Sequence, residues 1–179
     1  MRNAAVQLIA LLLCWLPGIG QSEVVLKGKT SSMVTAVVTR TNNLFVTDEG
    51  GGWYENGLIM VQMGGLGSAY EVEAPLRITS TSGKFHVRID SSLVLQHVSK
   101  PALVFRNVMV KMGPRGEALK LLAVAQNTTF TNPAASANGD DSIGHYLLTV
   151  SALPPSGDFK STGGNYTGVL SLTFEPVLE

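Results

Sequence analysis

From Val24 to Val38 the even positions read Val24, Leu26, Gly28, Thr30, Ser32, Val34, Ala36 and Val38, and none is charged. The odd positions, among them Lys27, Lys29, Ser31, Thr35 and Thr39, are mostly polar. Side chains alternate across a strand, so the segment presents one smooth, small-residue face and one polar face. It contains no proline and stands ahead of the rest of the chain. Such a segment suits the completion of a sheet, in its own domain or in a neighbour's.

Period-two alternation continues downstream. Val72, Ala74, Leu76 and Ile78 alternate with Glu71, Glu73, Pro75, Arg77 and Thr79, and Phe85, Val87 and Ile89 with Lys84, His86, Arg88 and Asp90. Both runs predict half-buried strands, joined by the turn Ser80-Thr81-Ser82-Gly83. Pro75 has no N–H to give a ladder, so its strand is expected to have a free edge or a bulge there. Further strands are expected over Leu58–Met63, Ala102–Met112, His145–Ala152 and Tyr166–Phe174. In the last, Tyr166, Gly168, Leu170, Leu172 and Phe174 face one way. One helix is expected, Glu117–Gln126, from its good helix formers and the spacing of Leu119, Leu122 and Ala123. Loops rich in Gly, Asn, Pro and Ser cover Glu49–Asn56, Gly64–Ser68, Thr131–Ser142 and Pro154–Gly164. Six or seven strands with little helix predict an all-β sandwich.

Composition refines this. Residues 1–20 read as a signal peptide: Arg2, an apolar run from Ala4 to Leu16, then Pro17-Gly18-Ile19-Gly20, with cleavage before Gln21. The run is short of the roughly 20 residues of a membrane span. Leu11-Leu12-Leu13-Cys14 approaches a lipoprotein signal, but a bulky Leu13 stands where a small residue is wanted. Cys14 therefore reads as part of the signal core, and the remaining chain of about 159 residues holds no cysteine. An exported domain without disulfides must obtain stability from packing or assembly. With Arg2 removed, 12 basic face 13 acidic residues, a net charge near −1 that suggests no nucleic-acid or anionic-membrane partner.

Candidate chemistry is sparse. The chain has no Gly-x-Ser-x-Gly elbow and no phosphate-binding loop; Gly64-Gly65-Leu66-Gly67 reads as a turn. His86, His97 and His145 are scattered without metal-ligand spacing, and Asp140-Asp141 lacks the six or more oxygens that calcium takes. Asn127-Thr128-Thr129 and Asn165-Tyr166-Thr167 match the glycosylation pattern, which matters only in a eukaryotic secretory pathway. Trp53 and Tyr54, in a Gly-rich loop, are expected to be buried at the end of the sandwich. The residues predict no enzyme: no catalytic set, no metal site and no cofactor.

The two ends of the chain resemble a bacterial chaperone–usher pilin, most closely the major subunits of alpha-class, colonisation-factor-type fimbriae. Val34-Thr35-Ala36-Val37-Val38 followed by Leu44-Phe45 resembles their donor strand and first domain strand. Gly164-Asn165-Tyr166-Thr167-Gly168-Val169-Leu170-Ser171-Leu172 resembles their last strand. Three features depart from the pattern: the longer front from Val24 to Thr30, Arg40 in place of proline, and Ser32 in place of a bulkier residue.

The resemblance implies an incomplete immunoglobulin-like β-sandwich completed by donor-strand complementation. It divides the chain into a signal peptide (1–20), a donor extension (21–40) and a pilin domain (41–179). The donor residues would be Val24, Leu26, Gly28, Thr30, Ser32, Val34, Ala36 and Val38. The acceptor groove would be lined by Tyr166, Gly168, Leu170, Leu172 and Phe174. The implied partners are other copies of the subunit, a periplasmic chaperone, an outer-membrane usher and a tip adhesin. The implied location is the bacterial surface, reached through the periplasm. The alternative is a single-domain surface adhesin or lectin that binds a host glycan or protein.

Overall fold

The computed structural model describes residues 42–65 and 67–178. The signal peptide, the extension and all eight expected donor residues, Val24, Leu26, Gly28, Thr30, Ser32, Val34, Ala36 and Val38, lie outside the described residues.

The chain forms β1 (Leu44–Asp48), β2 (Val61–Gln62), β3 (Tyr70–Ser80), β4 (Lys84–Ile89), β5 (Gln96–His97), β6 (Arg106–Pro114), β7 (Lys120–Leu121), β8 (Thr128–Thr131), β9 (Ser142–Leu153), the single-turn helix α1 (Phe159–Thr162), β10 (Tyr166–Thr167) and β11 (Leu172–Pro176). The larger sheet runs β1-β3-β9-β6-β7, with β2 also on β3. The smaller runs β11-β4-β8, and β10 pairs with β5.

The alternation of the sequence builds the core directly. Ala74, Leu76 and Ile78 of β3, Val110 and Met112 of β6, and Tyr146, Leu148 and Val150 of β9 are buried. From the opposite sheet come Phe85, Val87 and Ile89 of β4 and Phe130 of β8. Phe85 stacks on Phe130 at 5.7 Å and meets Tyr146 edge-on at 5.4 Å, joining the two layers.

Pro75 sits where β3 has a partner on one side only. It is opposite Leu147 of β9, while β1 stops at Asp48↔Leu76 and β2 resumes at Val61↔Glu71. The edge of the larger sheet is thus in two pieces, with the proline in the gap, as a residue without N–H requires.

The expected helix over Glu117–Gln126 is absent. After a turn in which Gly116 takes φ 86°, the chain folds back as β7, pairing Met112↔Lys120. Leu122 donates its N–H to Val110 and is buried, and Ala125, at φ 57°, donates to Ile89 of the other sheet. Tertiary pairing on both sheets overrides local helix preference. The strand expected over Tyr166–Phe174 is broken, with 168–171 outside both β10 and β11. Of Leu58–Met63, only Val61–Gln62 pairs.

Candidate functional site: a groove between two open edges

Among the described residues, β1 is hydrogen-bonded on one side only, to β3, and β11 only to β4. These two edges face each other across a groove of about 410 Å³ lined by Val46, Trp53, Leu170, Ser171, Leu172 and Phe174. Val46, Leu170, Leu172 and Phe174 pack partly against the core without being buried by it. Their apolar surface stays accessible beside two rows of unpaired backbone groups, the arrangement that templates an added strand.

β11 is fixed from behind. Asp90 accepts hydrogen bonds from Thr173 Oγ1 at 2.7 Å and Ser171 Oγ at 2.8 Å, and the Asp90 N–H donates to the Ser171 carbonyl. The bond from Thr173, then that from Ser171, holds the Asp90 carboxyl below its ordinary range. Ser171 and Thr173 are thereby tied to Asp90, Glu175 pairs with Arg88, and Leu170, Leu172 and Phe174 line the groove.

Tyr166 and Gly168 fall in a second, larger cavity of about 990 Å³, bordered also by Leu58, Ile59, Tyr70, Phe105 and Phe159. Tyr166 stands edge-on to both Phe105 and His97 at 4.9 Å and donates to the Thr162 carbonyl at 2.6 Å. Burial, and then the neighbouring Tyr70, raises its hydroxyl pKa. A side chain at Gly168 would strike the Val94 carbonyl, 2.4 Å from its Cβ position, so only glycine fits there. The five residues expected to form one face are therefore shared between two cavities along one C-terminal segment.

Trp53, expected to be buried at the end of the sandwich, is instead 51% exposed on the groove wall. Tyr54 is half-buried and packs on the core. The sequence pattern does not mark Val46, Trp53, Tyr70 or Phe105 as lining either cavity. Val46 follows from its edge position, but the other three depend on which loops meet the C-terminal segment.

The histidines serve the scaffold. His97 is buried, and its Nδ1 accepts the Ser99 and Lys100 N–H groups. His86 Nδ1 lies 3.0 Å from Thr129 Oγ1, and His145 lies 3.9 Å from Glu49, which pairs with Arg115 at 2.6 Å. Among the described residues, no three His, Cys, Asp or Glu side chains converge.

Three comparisons bear on this geometry. The profile of the CS1 type fimbrial major subunit family matches residues 31–175. The fold is similar to that of the CooA pilin subunit from enterotoxigenic Escherichia coli, with 19% identity and a TM-score of 0.56 over 73% of this chain and 85% of that one. A chain from a chaperone–tip adhesin complex of CFA/I fimbriae biogenesis aligns at 16% identity and a TM-score of 0.43, over 75% of this chain and 43% of that one. No curated protein sequence matches.

Proposed function

We propose, from the premise that this chain belongs to the CS1 type fimbrial major subunit family, that it polymerises by accepting a neighbouring copy's N-terminal strand into the groove between β1 and β11. Membership carries the general role: the protein is a structural subunit of a surface fimbria assembled through the periplasm. The family is not an enzyme family.

The observation behind the strand-exchange reading is the pairing of an open, apolar-floored groove with a segment of matching period. Leu170, Leu172 and Phe174 offer an apolar floor, and Val34, Ala36 and Val38 alternate to meet one. The family match begins at Ser31, so Ser32, Val34, Ala36 and Val38 fall within it and Val24 to Thr30 precede it. Burying a valine is worth roughly 1.5–3 kcal/mol. Each added ladder bond contributes about 1 kcal/mol. A strand of this length therefore supplies energy comparable with the roughly 5–15 kcal/mol net stability of a domain. A subunit with the groove empty exposes an aggregation-prone edge, which gives a periplasmic chaperone and an outer-membrane usher their task before assembly.

The test is deletion of residues 24–38. The truncated chain should form a soluble complex with its chaperone and accept a strand, yet pass none onward. A peptide spanning Leu26–Val38 should raise its melting temperature by tens of degrees. Long fibres from the truncate, or no thermal shift, would refute the reading.

A further inference from the structure

We propose that the apolar rim formed by Leu58, Ile59, Met63 and Phe159 seats the folded body of the strand-donating copy. Consecutive subunits would then touch through their domains as well as through the inserted strand. The inference rests on the groove reading above and adds a second, separable surface to it.

The ladders define two ends of the domain. Leu44↔Ser80 and Pro176↔Phe85 place the start of β1, the end of β11 and the 80–83 turn at one end. Gln62↔Tyr70, Tyr70↔Ala152 and Tyr166↔His97 place β2, the start of β3 and β10 at the other. The N-terminal segment joins the domain at the first end. There Asn43 and Thr81 are joined by two hydrogen bonds, the Asn43 N–H donating to Thr81 Oγ1 and its carbonyl accepting the Thr81 N–H.

A strand entering beside β11 can run either way. Parallel to β11, it would bring the donor's body to the first end, where the acceptor's own segment departs. Antiparallel, it brings that body to the second end. β1 and β11 run in opposite directions, so a strand between them is antiparallel to one and parallel to the other, and ladder type does not choose its direction. A donor body at the first end, however, would crowd both neighbours of a subunit against one end, which a continuing head-to-tail chain does not allow. From Val38 to Leu44 the chain advances six residues, at most about 20 Å. The donor's body must therefore stand against the second end.

That end carries the rim. Ile59 is 84%, Met63 88% and Phe159 76% exposed. Leu58, Ile59 and Phe159 border the cavity that holds Tyr166 and Gly168. Large apolar side chains gathered beside a cavity mark a contact surface. The matching end of the donating copy, where its segment departs, exposes Phe45 and Leu178. Apolar rim meets apolar end, in one direction only, so the contact propagates head to tail.

The experiment uses full-length chain assembled into fibres. A benzophenone amino acid replacing Ile59 should, on irradiation, join adjacent subunits, with adducts mapping to residues 42–45, 80–83 or 176–178. Ile59→Asp and Phe159→Asp fibres should dissociate at clearly lower denaturant concentration than the parent, with Leu121→Asp as an exposed control that leaves dissociation unchanged. With residues 24–38 deleted, as in the truncate above, both rim variants should bind a peptide of residues 24–38 within about twofold of the parent truncate, which shows them folded. No adduct, adducts only to the inserted strand, or undiminished fibre resistance would overturn the proposal. Failure of that peptide to bind the parent truncate would instead overturn the groove reading.

Discussion

The Tyr54 hydroxyl donates to the Pro75 carbonyl at 2.7 Å, across the gap where neither β1 nor β2 pairs with β3. The loop after β1 thus closes with a side chain the break that proline opens in the ladder, and the same bond positions Trp53 on the groove wall. Tyr54→Phe should cost about 1 kcal/mol, the net worth of one such bond, in unfolding of the peptide-filled subunit. Burial, then Asp48 and Glu49, raises the Tyr54 pKa. A raised pKa favours the neutral hydroxyl, so its contribution is complete below about pH 10 and fades as pH rises beyond. Tyr54→Phe should remove that part of the alkaline dependence.

Asp90 sets the opposite dependence. Its carboxylate holds Ser171 and Thr173, and its pKa is depressed by doing so. The stabilisation is complete above the ordinary carboxylate range near pH 4 and is lost as pH falls through the depressed value. Amide exchange at Ser171–Thr173 should therefore accelerate in acid, and donor-peptide affinity should fall with it. Asp90→Asn should show the faster exchange already at neutral pH, with little further change on acidification. Equal exchange in both proteins at pH 7 would show that Asp90 does not anchor β11.

A buried polar cluster locks the end from which the segment departs. Asn132 Nδ2 donates to the Ile78 carbonyl at 2.9 Å and the Ser142 carbonyl at 3.1 Å, while Tyr146 Oη donates to Asn132 Oδ1 at 3.0 Å. Asn132→Ala removes these bonds, leaves the buried Tyr146 hydroxyl without its partner and should cost about 2–4 kcal/mol in denaturant unfolding. Gly144→Ala should be at least as damaging, because its Cβ would stand 2.3 Å from Asn132 Oδ1 and 2.5 Å from the Tyr146 ring. Burial pushes the Tyr146 pKa up to about 12. Its contribution is complete below about pH 10 and is lost through pH 12, so alkaline unfolding should sharpen there.

The legible parts of this fold are those in which one side chain reports one face. Ala74, Leu76 and Ile78 alternate because β3 has water on one side and core on the other. Pro75 announced its own gap. The stretch from Glu117 to Gln126 misled because Leu122 is buried by one sheet while Ala125 bonds the other, a crossing with no local periodicity. Gly116 was the available sign, since its φ of 86° serves the turn that a helix would not need. The break at Gly168 was hidden because the Val94 carbonyl that demands glycine lies 74 positions away. The exposure of Trp53 is not legible locally, because it is a property of a groove whose far wall is the C-terminal strand.

Trp53 separates the two functional readings that began with the sequence. It is half-exposed, so Trp53→Ala removes little packing from the domain itself and should leave the unfolding of the peptide-free truncate almost unchanged. On the groove wall, opposite Leu170, Leu172 and Phe174, it has the position of an aromatic anchor for an incoming strand. Loss of such an anchor costs about 2 kcal/mol or more, equivalent to at least a tenfold fall in affinity. The peptide spanning Leu26–Val38 should bind Trp53→Ala at least tenfold more weakly, chiefly through faster dissociation, and fibres of the variant should be shorter. A surface lectin using Trp53 as a sugar platform would give the reverse: unchanged peptide binding and assembly, with loss of attachment to host glycan or protein. Titration calorimetry with the peptide and electron microscopy of the fibres decide between them on a single substitution.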